Sequence, residues 1–132
     1  MLSRIRIVAF VIIGLVAMAG AAQAAGAAAQ KYPNVIAAKV RTSGGNNFDF
    51  DVTVSSPYDT PQRYADAFRV TGKDGKVYGE RTLFHDHASE QPFTRDLYAV
   101  KIPGTVRVVV IQGRDQRFGY GGKTVEVALP GR

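Results

Sequence analysis

Phe48-Asp49-Phe50-Asp51-Val52-Thr53-Val54-Ser55 alternates apolar and polar side chains at every step. A period of two puts Phe48, Phe50, Val52 and Val54 on one face of an extended strand and the polar residues on the other, which is the pattern of a half-buried β-strand. Working outward, Val35 to Arg41 is a second strand, joined through Ser43-Gly44-Gly45-Asn46, where Gly and Asn accept the positive φ of a hairpin turn. Downstream, Pro57 and Pro61 bracket a loop through Tyr58 and Asp59. Strands are then expected over Ala65–Thr71 and Lys76–Phe84, turning at Gly72-Lys73-Asp74-Gly75. A fifth strand is expected from Pro92 through Phe93, Arg95 and Leu97, with a corner at Ile102-Pro103-Gly104. Val106–Gln112 is the densest β-branched run and reads as a central strand buried on both faces. Val125, Val127 and Leu129 end the series.

No stretch after Ala29 shows helical spacing with caps, and Gly or Pro interrupts the chain at the intervals typical of sandwich folds. The expected fold is therefore all-β: an antiparallel sandwich of about seven strands, immunoglobulin-like or fibronectin type III-like. The Cys…Trp…Cys signature of antibody domains is absent, and a small barrel is the alternative. The 132 residues leave room for one core, and 45% apolar with 21% charged residues is a globular balance. With no Cys, the fold must rest on its core and its hydrogen-bonded ladders, and disulfide scaffolds, thiol enzymes and Cys-ligated zinc sites are excluded.

Arg4 and Arg6 precede an apolar run from Ile7 to Ala22, followed by Ala22-Gln23-Ala24, small residues arranged as at a signal-peptidase site. Residues 1–24 read as a secretory signal peptide, 25–33 as a flexible lead-in and 34–132 as the sandwich domain. The alternative is an uncleaved anchor, although Gly14, Gly20 and the Ala-rich end suit cleavage better than a stable span. A lipoprotein is excluded by the missing Cys. The expected location is periplasmic or secreted, with no stable membrane span after cleavage. The chain carries 17 Lys and Arg against 11 Asp and Glu, and loss of Arg4 and Arg6 leaves a net +4. These charges alternate with carboxylates and form no basic stripe, which argues against nucleic acid and leaves weak attraction to anionic envelope surfaces.

The segment Leu83-Phe84-His85-Asp86-His87-Ala88-Ser89-Glu90-Gln91-Pro92-Phe93-Thr94-Arg95 gathers both histidines, carboxylates, an amide and an Arg. If it is extended, His85 and His87 project from one face and can chelate a Cu, Ni or Zn ion, with Asp86, Glu90 or Asp115 as further ligands. The structural alternative is that Asp86 accepts backbone N–H groups, Gln91 caps a strand end and Arg95 pairs with Glu90 or Asp86, tying a crossover loop down. His85-Asp86-His87, Glu90-Gln91-Pro92-Phe93-Thr94-Arg95, Arg114-Asp115 and Gly119-Tyr120-Gly121-Gly122 together resemble a pattern in small exported bacterial proteins of no assigned function. That resemblance implies a sandwich fold and no particular activity.

A second feature is the loop Arg114–Lys123, where glycines flank Tyr120. It lacks the spacing of a nucleotide-binding loop. Arg117, Phe118 and Tyr120 are candidates to contact an envelope protein or a glycan, since aromatics and Arg dominate interface hot spots. The plainer alternative is a hairpin tip packed on its own neighbours. No nucleophile elbow or zinc-protease helix occurs, and Asp49 and Asp51 read as solvent-facing, so no enzyme is expected. The reading is an exported, non-catalytic binding module without a cofactor, the alternative being a periplasmic metal-binding protein using His85, Asp86, His87 and Glu90.

Overall fold

The computed structural model describes residues 30–132, and the expected signal peptide and the first part of the lead-in lie outside the described residues. Seven strands form in chain order: β1 (Asn34–Gly44), β2 (Asn47–Ser55), β3 (Ala65–Thr71), β4 (Val77–Thr82), β5 (Phe93–Lys101), β6 (Val108–Asp115) and β7 (Gly119–Ala128). They make two antiparallel sheets, β1-β2-β5 and β4-β3-β6-β7, that do not close into a barrel. The fold is an all-β sandwich. Because β4 pairs with β3 rather than with β5, the order is the fibronectin type III-like variant and not that of antibody constant domains.

β2 alternates as its sequence requires: Phe48, Phe50, Val52 and Val54 are buried and the residues between them are not. From the opposing sheet Phe68, Val70, Val109 and Ile111 pack against them, with Phe93 and Ile102 closing the two ends of the core. Gly45 and Asn46 both take positive φ, 57° and 66°, as a two-residue hairpin needs.

Three expectations are corrected. β6 is not buried on both faces: Val109, Ile111, Gly113 and Asp115 point inward, while Val110, Gln112 and Arg114 are half-buried on the outer face. β4 ends at Thr82, leaving Phe84 in a loop. Gly119–Lys123 is strand rather than loop, since Gly121 pairs with Gly113 and Tyr120 with Arg114. Within the expected lead-in, Gln30–Pro33 is tied down: Gln30 Nε2 donates to Tyr32 O at 2.7 Å, and the fully buried Pro33 lies over Gly113.

Alternation of strand direction collects the loops at two poles. The β2–β3, β4–β5 and β6–β7 connections and residues 30–33 share one pole. The β1–β2, β3–β4 and β5–β6 connections and Arg132 share the other.

Candidate functional site

The first pole carries six of the seven residues singled out from sequence for binding. Its frame consists of buried and half-buried side chains, most of which satisfy loop backbone. Asp59, in the β2–β3 loop, accepts Ala65 N and His87 N, each at 3.0 Å, so one carboxylate joins two loops. Gln91 accepts Ser56 N at 2.7 Å and donates to His87 O at 3.0 Å. Asp86 accepts Ala88 N at 3.1 Å, and Glu90 pairs with Arg95 at 3.1 Å. The hydrogen bonds expected of a tied crossover loop are therefore present, for the reason that buried backbone between sheets must find partners inside the protein.

The β6–β7 turn is held the same way. Asp115 is fully buried; its Oδ2 accepts Arg117 N and Phe118 N, each at 2.8 Å, and Arg63 Nε lies 3.1 Å from its Oδ1. Burial pushes the Asp115 carboxyl up, but Tyr58, the two turn amides and Arg63 outweigh it and hold the pKa below its ordinary value. Burial first, and then Asp115, hold the Tyr58 hydroxyl protonated far above its usual range. Arg63 is the hub. Its guanidinium stacks 4.2 Å from the Tyr58 ring centre and 4.9 Å from that of Phe118, and donates to Lys31 O at 2.6 Å and Gln30 O at 3.2 Å. Tyr32 meets Phe118 edge to face at 6.4 Å. Tyr64 links the remaining loops, its carbonyl accepting Gln116 N at 3.0 Å and its hydroxyl donating to Phe84 O at 3.4 Å.

On this frame stand exposed apolar rings. Phe84 is 84% exposed and Phe118 45% exposed, with Lys31 and Arg117 ammonium and guanidinium groups about the latter at 5.7 and 6.0 Å. Tyr120 does not reach this tip. It lies on the outer face of the four-stranded sheet, 3.7 Å under Arg69, with its hydroxyl donating to Glu80 of β4. Beside it Arg114 grips Asp66 in two bonds of 2.8 and 3.0 Å.

His85 and His87 do come together, with ring centres 4.9 Å apart. They are not equivalent. His85 is exposed and its Nδ1 meets Asp86 O at 2.9 Å, whereas His87 is 5% exposed, stacks on Phe93 at 3.9 Å and keeps a buried Nδ1 without a partner. Glu90 is turned to Arg95, Asp115 is committed to Arg63, and among the described residues no group of three or more His, Cys, Asp or Glu is placed to hold a metal ion.

Burial, then Arg95 and His85, lower the His87 pKa, with Asp59 and Glu90 opposing. A histidine protonated less readily in the folded state adds stability that is complete above its unfolded value of about 6.5 and is lost as pH falls from there toward the folded value. Thermal melts should therefore drop between pH 7.5 and 5.5, and His87→Phe, which keeps the stack on Phe93, should flatten that step. A step of equal size in the variant would assign it to other groups.

Arg63, Tyr58, Tyr32 and Phe84 are missing from the sequence reading of this site. Tyr58 was legible only as a member of a Pro-bracketed loop, and Arg63, just past Pro61, drew no reading; what brings them to Phe118 is the adjacency of β3 and β6.

No family model matches the chain, and no solved structure matches it. Over 94 residues it is 36% identical to a protein of Halomicrobium mukohataei named "Putative lipoprotein", an alignment covering 71% of this chain and 46% of that protein. The chain thus spans about half the length of the curated relative it matches.

Proposed function

We propose that this is an exported, non-catalytic recognition module that holds a protein partner at the pole formed by the β2–β3, β4–β5 and β6–β7 loops. Export is supported by the leader-like residues 1–24 and by the lipoprotein name of the relative. That name implies a lipid anchor in the relative, while this sequence has no Cys to carry a thioether-linked lipid. The observation that carries the reading is two exposed rings at one pole, Phe84 and Phe118, the latter with Arg117 and Lys31 about it, on loops held by Asp59, Gln91 and Asp115. Aromatic and Arg anchors supply most of the binding energy in protein interfaces, and ordering them before contact reduces the entropy lost on association. Phe84 projects instead of lining a cleft, which suits insertion into a partner's pocket better than stacking on a sugar. In immunoglobulin-type sandwiches the loops of one end serve the same purpose, an analogy of fold only.

The test is photo-crosslinking in the producing cells, with benzoylphenylalanine placed at position 84 or 118 and, as controls, at the exposed Tyr98 and Val77. A discrete protease-sensitive adduct at 84 and 118, weakened at least tenfold by Arg117→Glu, is the expected outcome. An adduct that survives protease and yields to glycosidase would move the ligand to a glycan. Equal labelling at all four positions, or none at the pole, would overturn the reading.

A further inference from the structure

At the opposite pole the geometry points to a second binding site, a groove for an acidic saccharide, independent of the loops discussed above. The groove, about 410 Å³, is lined by Asn46, Lys76, Tyr78, Lys101, Ile102 and Pro103. A neighbouring groove of about 420 Å³ shares Tyr78 and continues along Lys73 and Arg107, so the Tyr78 ring forms a ridge between two troughs. Each has the size of a small-ligand site, and their floors combine an aromatic face with aliphatic carbon, the surface on which sugar rings stack.

Charge selects the ligand. Among the described residues Lys73, Lys76, Lys101, Arg107 and Arg132 stand at this pole with two side-chain carboxylates, Asp74 and Glu126. Glu126 is taken by Lys73 at 3.7 Å, and Asp74 accepts Lys76 N at 3.0 Å through its Oδ1. Arg132 donates to Ile102 O, Val106 O and Asn46 Oδ1, none of which is charged. Lys76 and Lys101 flank the groove without an ion pair among the described residues, and residues 1–29 contain no Asp or Glu. Lys76 Nζ lies over the Tyr78 ring at 6.0 Å from its centre, so a sugar carboxylate arriving at that ring comes within its reach. At the first pole Arg63 and Arg95 are set against Asp115 and Glu90, and the unpaired cations there, Lys31 and Arg117, stand about Phe118.

A lipid surface would present anions too, but the loop tips here are Gly45, Asn46, Lys73, Asp74, Gly104 and Thr105, with no large apolar side chain to enter an acyl layer. An aromatic ridge beside two ammonium groups that make no ion pair fits a uronate-bearing oligosaccharide, whose rings lie on Tyr78 and whose carboxylates meet Lys76 and Lys101.

The experiment is an amide-resolved NMR titration of the purified protein with trigalacturonate and a hyaluronan tetrasaccharide, beside neutral maltotriose, inorganic phosphate and phosphatidylglycerol vesicles. Shifts confined to the amides around Asn46, Lys76–Tyr78 and Lys101–Ile102, with affinity at least tenfold weaker in Lys76→Ala/Lys101→Ala and unchanged in Arg117→Glu, are expected. Both lysines are exposed, so the variant should melt as the parent does. The inference falls if neither uronate saccharide moves these amides, if the double variant binds equally well, if phosphate alone gives the same shifts, or if only the vesicles bind.

Discussion

Asp115→Ala is expected to remove about 4 kcal/mol of stability, because it strips the counter-ion from a partly buried guanidinium and leaves two turn amides without an acceptor. The carboxylate is fully buried, and three groups converge on it: Arg63 Nε, Arg117 N and Phe118 N. Removing one partner of such a pair costs more than the pair contributes net, since the survivor keeps its desolvation penalty. Arg63 retains Gln30 O, Lys31 O and two aromatic faces, so the loss should concentrate in the β6–β7 turn and residues 30–33 rather than spread through the core. Urea unfolding of Asp115→Ala, Arg63→Met and the double variant provides the measurement, with a coupling energy of about 2 kcal/mol expected. A loss below about 1 kcal/mol for Asp115→Ala would show that the turn is held by something else. The pH dependence follows from the lowered pKa: this contribution is complete above the ordinary carboxylate value of 3.8 and is lost as pH falls through the folded value, so Asp115→Asn should blunt the acid limb of unfolding.

Gly122→Ala is expected to cost about 3 kcal/mol, combining a left-handed backbone with a collision. Gly122 has φ +80°, and a methyl group there would run directly into the Pro33 carbonyl oxygen, which belongs to backbone and cannot rotate away. Gly121 is equally closed, by the Tyr32 ring. These residues are the floor of a seat for Tyr32 and Pro33. A melting temperature lowered by about 15 °C, with Tyr32 fluorescence environment and amide protection of residues 30–34 lost together, is the expected signature. A melt within about 3 °C of the parent would mean that the Tyr32-Pro33 segment does not lie on β7. Gly119→Ala is the matched control for backbone conformation alone, since its φ is +84° and nothing stands within 4 Å of the added carbon.

Those glycines show why the candidate site was only partly readable. In sequence, Gly119-Tyr120-Gly121-Gly122 reads as part of a loop at a hairpin tip, because glycine clusters and turns go together. The close approach of a distant segment produces the same residues, and nothing local separates the two causes. Asp115 was legible as a carboxylate near a turn but not as the partner of Arg63, which lies 52 residues earlier and arrives through β3–β6 pairing. His85 and His87 were read as adjacent on one face, which the 4.9 Å ring separation matches. Their unlike burial depends on Phe93 and Asp59, which the spacing does not report.

What the sequence by itself determined is the class of fold and the place of most strands, though not the start of β7 at Gly119, because a strand writes its buried face at every second position and a hairpin needs Gly or Asn at positive φ. Both signals are local. Which strands pair across the sandwich, which loops therefore share a pole, and which charges are compensated there were decided only by tertiary structure. Desolvation, ion pairing and close backbone approach act between residues far apart in the chain, so no window of sequence contains them.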